Sequence, residues 1–159
     1  MTFALAATLL ATMPTIKQDT NAKSLDFWLG KWKADSHQPQ PDGTIQESKD
    51  AAKNHITKIK GDKVIHEDFT MPGFNGESWS VFDPKANKWH QTWVDDAGAY
   101  LTLVGGMEGD EFVLTQTHPN TIQRMRFTKI TKDSFVWLWE SKKDDTWTLA
   151  WQLDYHREK

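Results

Sequence analysis

Three polar residues, Gln91, Glu140 and Tyr155, have the type and placement to do chemistry in this chain. Glu140 ends the run Val136-Trp137-Leu138-Trp139-Glu140, where alternation groups it with Val136 and Leu138 on an apolar face. An acid on such a face must be ion-paired, hydrogen-bonded or protonated. It can anchor the polar end of a ligand, or act as a general acid or base with a raised pKa. A buried polar link that fixes strand register accounts for it equally well. Gln91, Tyr155 and an arginine behind the wall are its candidate partners.

Other chemistries find little support. The six histidines (His37, His55, His66, His90, His118 and His156) fall one to an element, without metal-binding spacing, so no metal site is expected. With no cysteine there is no thiolate nucleophile and no disulfide framework, and the redox compartment stays open. Nucleophile-elbow, phosphate-loop and dinucleotide motifs are absent; Gly105-Gly106 reads as a strand end. No catalytic residue and no cofactor is assigned. The net charge of −3, with basic residues spread along the chain, leaves no footprint for nucleic acid or an anionic membrane surface.

The elements that must position these residues read as strands. Trp32, Ala34 and Ser36 alternate with Lys31, Lys33 and Asp35 until Pro39, Pro41, Asp42 and Gly43. Residues 45–59 are ambiguous, since Ala52, Ile56 and Ile59 also suit a helix face, and it is a family resemblance, carried by motifs elsewhere in the chain, that favours a strand. Strands follow at 64–70, 77–82, 88–95, 99–106, 111–118, 121–130, 134–141 and 146–157, ten in all. Short turns with no helical segment between them indicate an antiparallel up-and-down meander, which removes its edges by closing into a barrel. The 136 residues from Ser24 to Lys159 make one domain.

Turn lengths give the inward face. Two-residue turns at Pro119-Asn120, Lys132-Asp133 and Lys143-Asp144 place Phe112, Leu114, Met125, Phe127, Val136, Leu138, Glu140, Trp147, Leu149, Trp151, Leu153 and Tyr155 inside. Arg124, Arg126, Trp137 and Trp139 then share the outer face, where guanidinium can stack on indole. A three-residue loop ending at a left-handed Gly98 pairs Trp93 with Leu101 and Gln91 with Leu103, turning Trp89, Gln91 and Trp93 inward. The loop at 83–87 fits more than one length, so the facing of Trp79 stays open.

The stretch Asp26-Phe27-Trp28-Leu29-Gly30-Lys31-Trp32, with Arg157 in the last strand, resembles the signature of the lipocalin and fatty-acid-binding superfamily, the calycins. Together with Trp89-His90-Gln91-Thr92-Trp93-Val94-Asp95, Gly98, Trp139-Glu140-Ser141 and Tyr155-His156-Arg157, it is similar to a bacterial lipocalin-like family of unknown function. The resemblance implies an all-β, single ten-stranded calycin-like barrel over residues 24–159. It makes Gly30, Trp32 and Arg157 structural closure, with the guanidinium over the indole, and it leaves the ligand unnamed. Nitrobindin-type calycins bind haem through a histidine near the C-terminus, which raises His156; its parity with Ala150, Gln152 and Asp154 points it outward.

Residues 1–23 are a signal peptide or N-terminal extension. The apolar run Phe3 to Met13 has the length of a signal-peptide core and is too short to span a bilayer. A short helix over one barrel mouth is the alternative. The expected protein is therefore periplasmic or secreted, with a cytoplasmic alternative. It is a monomer or homodimer, not inserted in a membrane after processing. Its expected function is to bind a small apolar or aromatic ligand among Gln91, Trp93, Leu114, Met125, Phe127, Leu138, Glu140, Trp151 and Tyr155. The alternatives are a cofactor-free acid/base enzyme using Glu140 and a nitrobindin-like haem protein.

Overall fold

The computed structural model describes residues 19–116 and 122–159. The apolar run Phe3 to Met13 and the turn at Pro119-Asn120 lie outside the described residues. Among the described residues a 3₁₀ turn, Asp26–Trp28, precedes ten strands: β1 Gly30–Pro39, β2 Ile45–Ile59, β3 Val64–Met71, β4 Phe74–Asp83, β5 Lys88–Asp95, β6 Tyr100–Glu108, β7 Glu111–Gln116, β8 Gln123–Thr128, β9 Ser134–Lys143 and β10 Thr146–Arg157. Each strand pairs antiparallel with the next, and β10 returns to β1 to close the barrel. This all-β, up-and-down, ten-stranded architecture is compatible with a calycin-like fold. The ambiguous residues 45–59 form one long strand, in whose second half Ala52, Asn54 and Ile56 point inward and are buried.

One end of the barrel is plugged. Phe27 meets Phe127 and Phe135 edge-on at 5.6 and 5.8 Å, and Trp28 meets Phe127 at 5.3 Å. The Trp32 indole N–H donates to the Trp28 carbonyl at 2.7 Å. Arg157 lies 4.0 Å above the Trp32 ring and donates to the carbonyls of Leu29 at 2.7 Å, Lys132 at 2.9 Å and Phe27 at 3.3 Å. Gly30, at φ 123°, is the residue this approach requires, because a Cβ there would collide with the guanidinium of Arg157. Packing begins upstream of Ser24. Thr20 accepts the Met107 N–H at 2.8 Å and the Asn21 carbonyl accepts the Trp89 indole N–H at 3.1 Å.

The strand registers agree with the sequence-based faces over part of the barrel and reverse them elsewhere. Phe112 pairs with Phe127 and Leu114 with Met125, while Trp93 pairs with Leu101 and Gln91 with Leu103. Gly98 is left-handed at φ 90°. In β9 the assignment is overturned. Thr131 does face Ser134, its N–H donating to that carbonyl at 2.8 Å, but the ladder begins with Thr128 opposite Val136. Residues 129 and 130 therefore oppose Phe135 alone, and Lys129 takes a left-handed φ of 50°. This bulge shifts the register by one residue and so exchanges the faces of the whole strand. Phe135, Trp137 and Trp139 point inward, and Val136, Leu138 and Glu140 point outward.

A second irregularity lies between Leu149 and Trp151 in β10. It separates Trp147 and Leu149, which face outward with Glu140, from Trp151, Leu153 and Tyr155, which face inward with Trp139, Trp137 and Phe135. The turn there is Asp144-Asp145, one residue later than expected, with Lys143 opposite Thr146. The expected partners of the arginines change accordingly. Arg124 stacks on Trp147, 3.9 Å from the ring centre, and Trp137 and Trp139 are no part of that outer face.

Candidate functional site

Inside the barrel, between the plug and the opposite rim, lies a cavity of about 220 Å³. Its walls come from the ends of β3 to β6 and β8 to β10 that meet the opposite rim. Most of the wall is aromatic. Trp93 and Phe74 stack at 6.2 Å, Phe69 stands edge-on to Trp151 at 6.1 Å, and Trp137 stands edge-on to Trp151 at 5.6 Å and stacks on Trp139 at 6.2 Å. Leu101, Leu103, Met125 and Leu153 complete the apolar surface. Room for these rings comes from small residues on β4, where Gly76, Ser78 and Ser80 face inward. A Cβ at Gly76 would run into the Trp93 indole.

One pole of the cavity is polar. Glu67 and Tyr155 reach it from β3 and β10, and behind them sit Asn54 of β2, Ser78 and Ser80 of β4 and Gln91 of β5, all buried. The Asn54 side-chain amide donates to Glu67 Oε1 at 2.7 Å and to the Tyr155 hydroxyl at 3.2 Å. Ser78 Oγ donates to Glu67 Oε2 at 2.5 Å, and the Gln91 amide donates to Ser78 and Ser80 at 3.2 and 3.1 Å. The carboxyl group is thus held by a chain of neutral donors running Gln91 to Ser78 to Glu67. Such a network fixes one geometry because every member constrains its neighbour.

Burial pushes the Glu67 carboxyl up to about 7, against the opposing pull of Ser78, Asn54 and the nearby His66. Burial, and then the Glu67 charge, also hold the Tyr155 phenol well above its ordinary value, so it stays a neutral O–H. Tyr155 accepts from Asn54 and keeps its own proton to donate. Trp28, which lines the same cavity, carries a buried indole N–H with no hydrogen-bond partner among the described residues. Asp95 lies at the rim with its oxygens committed: Oδ1 accepts from the N–H groups of Ala97 and Ala99, and Oδ2 from the Trp93 indole.

Of the nine expected ligand residues, Trp93, Met125, Trp151 and Tyr155 line this cavity. Gln91 is inside and buried but acts behind the wall, through Ser78. Leu114 and Phe127 are inside and belong to the packed core towards the plugged end. Leu138 and Glu140 are outside, for the reason of register given above. Glu140 Oε2 accepts from Arg124 at 2.6 Å and its Oε1 from Arg126 at 3.2 Å, while Arg126 also grips Glu111 at 2.7 Å. Glu140 is therefore one member of an outer ionic cluster and has no place in a cavity mechanism. His156 is exposed on the outer face, opposite Lys33 and Ser134, which removes it as an interior haem ligand.

The acid at the polar pole, Glu67, was missed by sequence reasoning. Its signal was the alternation Ile65, Glu67, Phe69, which puts an acid on an apolar face just as the argument for Glu140 demanded. Neighbouring His66 and Asp68 obscured it by making both faces of β3 look polar. Trp137 and Trp139 were missed through the β9 bulge, and Trp28 because it comes from the turn rather than a strand. No protein-family model matches this chain, and no curated protein matches it at a significant level.

Proposed function

We propose that this protein is a binding module of the lipocalin-like kind, holding one small, flat, largely apolar molecule inside its barrel with the polar end at Glu67, Tyr155 and Trp28. The observation that supports this most is the pairing of an aromatic-walled interior cavity with a single polar pole, the usual form of a small-molecule site. A buried indole N–H without a partner adds to it, since an unmet donor is costly and an acceptor atom on the body of a ligand would satisfy it. The cavity volume suits a ligand of one or two rings. Its setting, on this proposal, is the periplasm or the exterior, reached through the apolar run Phe3 to Met13. The proposed working form is a monomer or homodimer, with no nucleic-acid partner and no membrane insertion.

The test uses a variant that fills the space. Small aromatic solutes should quench the cavity tryptophans of the wild type, and Leu101→Trp, which adds an indole to the cavity wall, should abolish the quenching while unfolding cooperatively. Equal quenching in both proteins, or none in the wild type, would remove the interior site. A second reading, cofactor-free acid/base catalysis, draws support from Glu67, because a carboxyl group poised near neutrality beside a phenol can exchange a proton with a bound substrate. Turnover of a bound compound that falls roughly 100-fold in Glu67→Gln at unchanged affinity would establish it.

A further inference from the structure

The charge arrangement of the cavity narrows its ligand class, on the footing of the binding reading above. None of the described residues lining it is lysine, arginine or histidine. Glu67 is held by two neutral donors, so no protein cation is hydrogen-bonded to its ionised form, and the charge of His66 acts on it only from the outer face, where Glu77 pairs with that ring. The other lining acid, Asp95, has its oxygens occupied by the rim loop and Trp93. The cation–π contacts of the described residues use Trp147 on the outer face and Trp32 at the plugged end, and neither ring belongs to the cavity. The faces of the cavity indoles therefore meet no side-chain cation.

We infer that the cavity takes an organic cation, a protonated amine or quaternary ammonium on a flat apolar body, with its charge between the Glu67 carboxylate and the indole faces of Trp93, Trp137, Trp139 and Trp151. Aromatic faces attract such a charge through their quadrupole, and the attraction is strongest where water is excluded. A carboxylate ligand is selected against, because it would bring a second negative group to a buried acid with no basic partner. That separates this barrel from a fatty-acid carrier. Ligand entry also supplies the counterion that the donor network of Asn54 and Ser78 leaves out.

The titratable groups facing Glu67 are few, which makes the pH dependence readable. Asn54 on β2, Ser78 on β4 and Gln91 on β5 do not titrate, Tyr155 on β10 stays protonated, and His66 lies on the outer face of the same strand, paired with Glu77. A cation binds ionised Glu67 and so expels its proton. Cation affinity therefore rises with pH up to about 7 and levels off above it. A neutral acceptor ligand binding protonated Glu67 has the opposite slope.

The experiment is calorimetric titration of the full chain with phenethylamine, 2-phenylethanol and 3-phenylpropanoate from pH 5.5 to 8. The amine stays protonated throughout, with a pKa of about 10 like that of a lysine side chain. At pH 8 the amine should bind at least about tenfold more tightly than the alcohol, as a desolvated cation–π contact and ion pair imply. The acid should not bind measurably. The amine's affinity should rise at least about tenfold across the range with release of a proton, seen as a dependence of the heat on the buffer. In Glu67→Gln the amine-to-alcohol ratio should fall to within about threefold of one, whereas in Glu140→Gln it should stay as in the wild type.

Alcohol binding as tight as amine binding, or an amine affinity that falls with pH, overturns the cation inference and leaves the cavity reading standing. Failure of both the amine and the alcohol to bind at millimolar concentration overturns both. If Glu67→Gln does not fold, the wild-type pH slope and the proton release decide the matter alone.

Discussion

The polar centre inside the barrel and the ionic patch on its outer wall each hold a carboxylate of nearly equal exposure, Glu67 at 6% and Glu140 at 8%. They meet the cost of burial in opposite ways. Glu140 faces two guanidinium groups, so its charge is matched by permanent cations. Glu67 faces an amide and a hydroxyl, and its environment raises its pKa instead. Depth of burial therefore does not show how the charge of an acid is met. The distinction lies in whether the protein itself completes the charge, and only the inner carboxylate is left for something else to complete.

The largest expected effect comes from abolishing the bulge that puts these two acids on opposite faces. Deleting Lys129 removes the extra residue that follows β8, so an unshifted β9 would carry Glu140 inward and Phe135, Trp137 and Trp139 outward. Each aromatic lost from the interior is worth about 3 to 5 kcal/mol, and together, at about 9 to 15 kcal/mol, they are comparable to the whole stability of an ordinary domain. Loss of the cooperative unfolding transition is the expected outcome. A deletion variant as stable as the wild type would show that the bulge is not what holds the register.

The next effect concerns the inner acid and its sign. Glu67 has a folded pKa of about 7 against an ordinary value of 4.5, so the folded chain holds a proton that the unfolded chain releases. The associated stability is fully present below 4.5 and is lost as pH rises through 7. Over that window it amounts to about 3 kcal/mol. The difference in unfolding free energy between wild type and Glu67→Gln should therefore drift against the wild type from pH 4 to pH 8 and then flatten. A constant difference would mean that Glu67 is solvated.

A smaller effect is expected in the outer patch. Arg126→Met leaves Glu111 and Glu140 without their shared cation. A fully buried pair broken in this way costs about 3 to 5 kcal/mol, and the partial exposure of these groups reduces that to about 1 to 2. Denaturant titration should show this loss with ligand affinity within twofold of the wild type. A large change in affinity would tie the patch to the cavity and erase the contrast.

The legibility of the sequence followed the chemistry of its turns. At Gly98 the left-handed residue is a glycine, the loop length could be read, and Trp89, Gln91 and Trp93 were placed inward as the structure has them. At Lys129 the same left-handed conformation is taken by a lysine, which carries no such signal, and beyond it every facing in β9 was reversed. Ala150, between two rows of pairs that differ by one residue, was equally silent. The ten-stranded barrel was legible because alternation and turns recur along the chain. The site was legible only in part, because one unseen bulge exchanges a wall of tryptophans for a carboxylate.

The closure of the barrel also bears on how the chain acquires its fold. Arg157 and Leu29, which the closing hydrogen bond joins, stand 128 residues apart in sequence. Until β10 has left the ribosome, β1 keeps an unpaired edge, and the barrel cannot shut. A long loop must close before these contacts repay it, which makes the final step slow and leaves a growing sheet open to pairing with other chains. Lys31 and Lys33 on β1 put charge beside that waiting edge, and such charges discourage a second molecule from docking there before the last strand arrives.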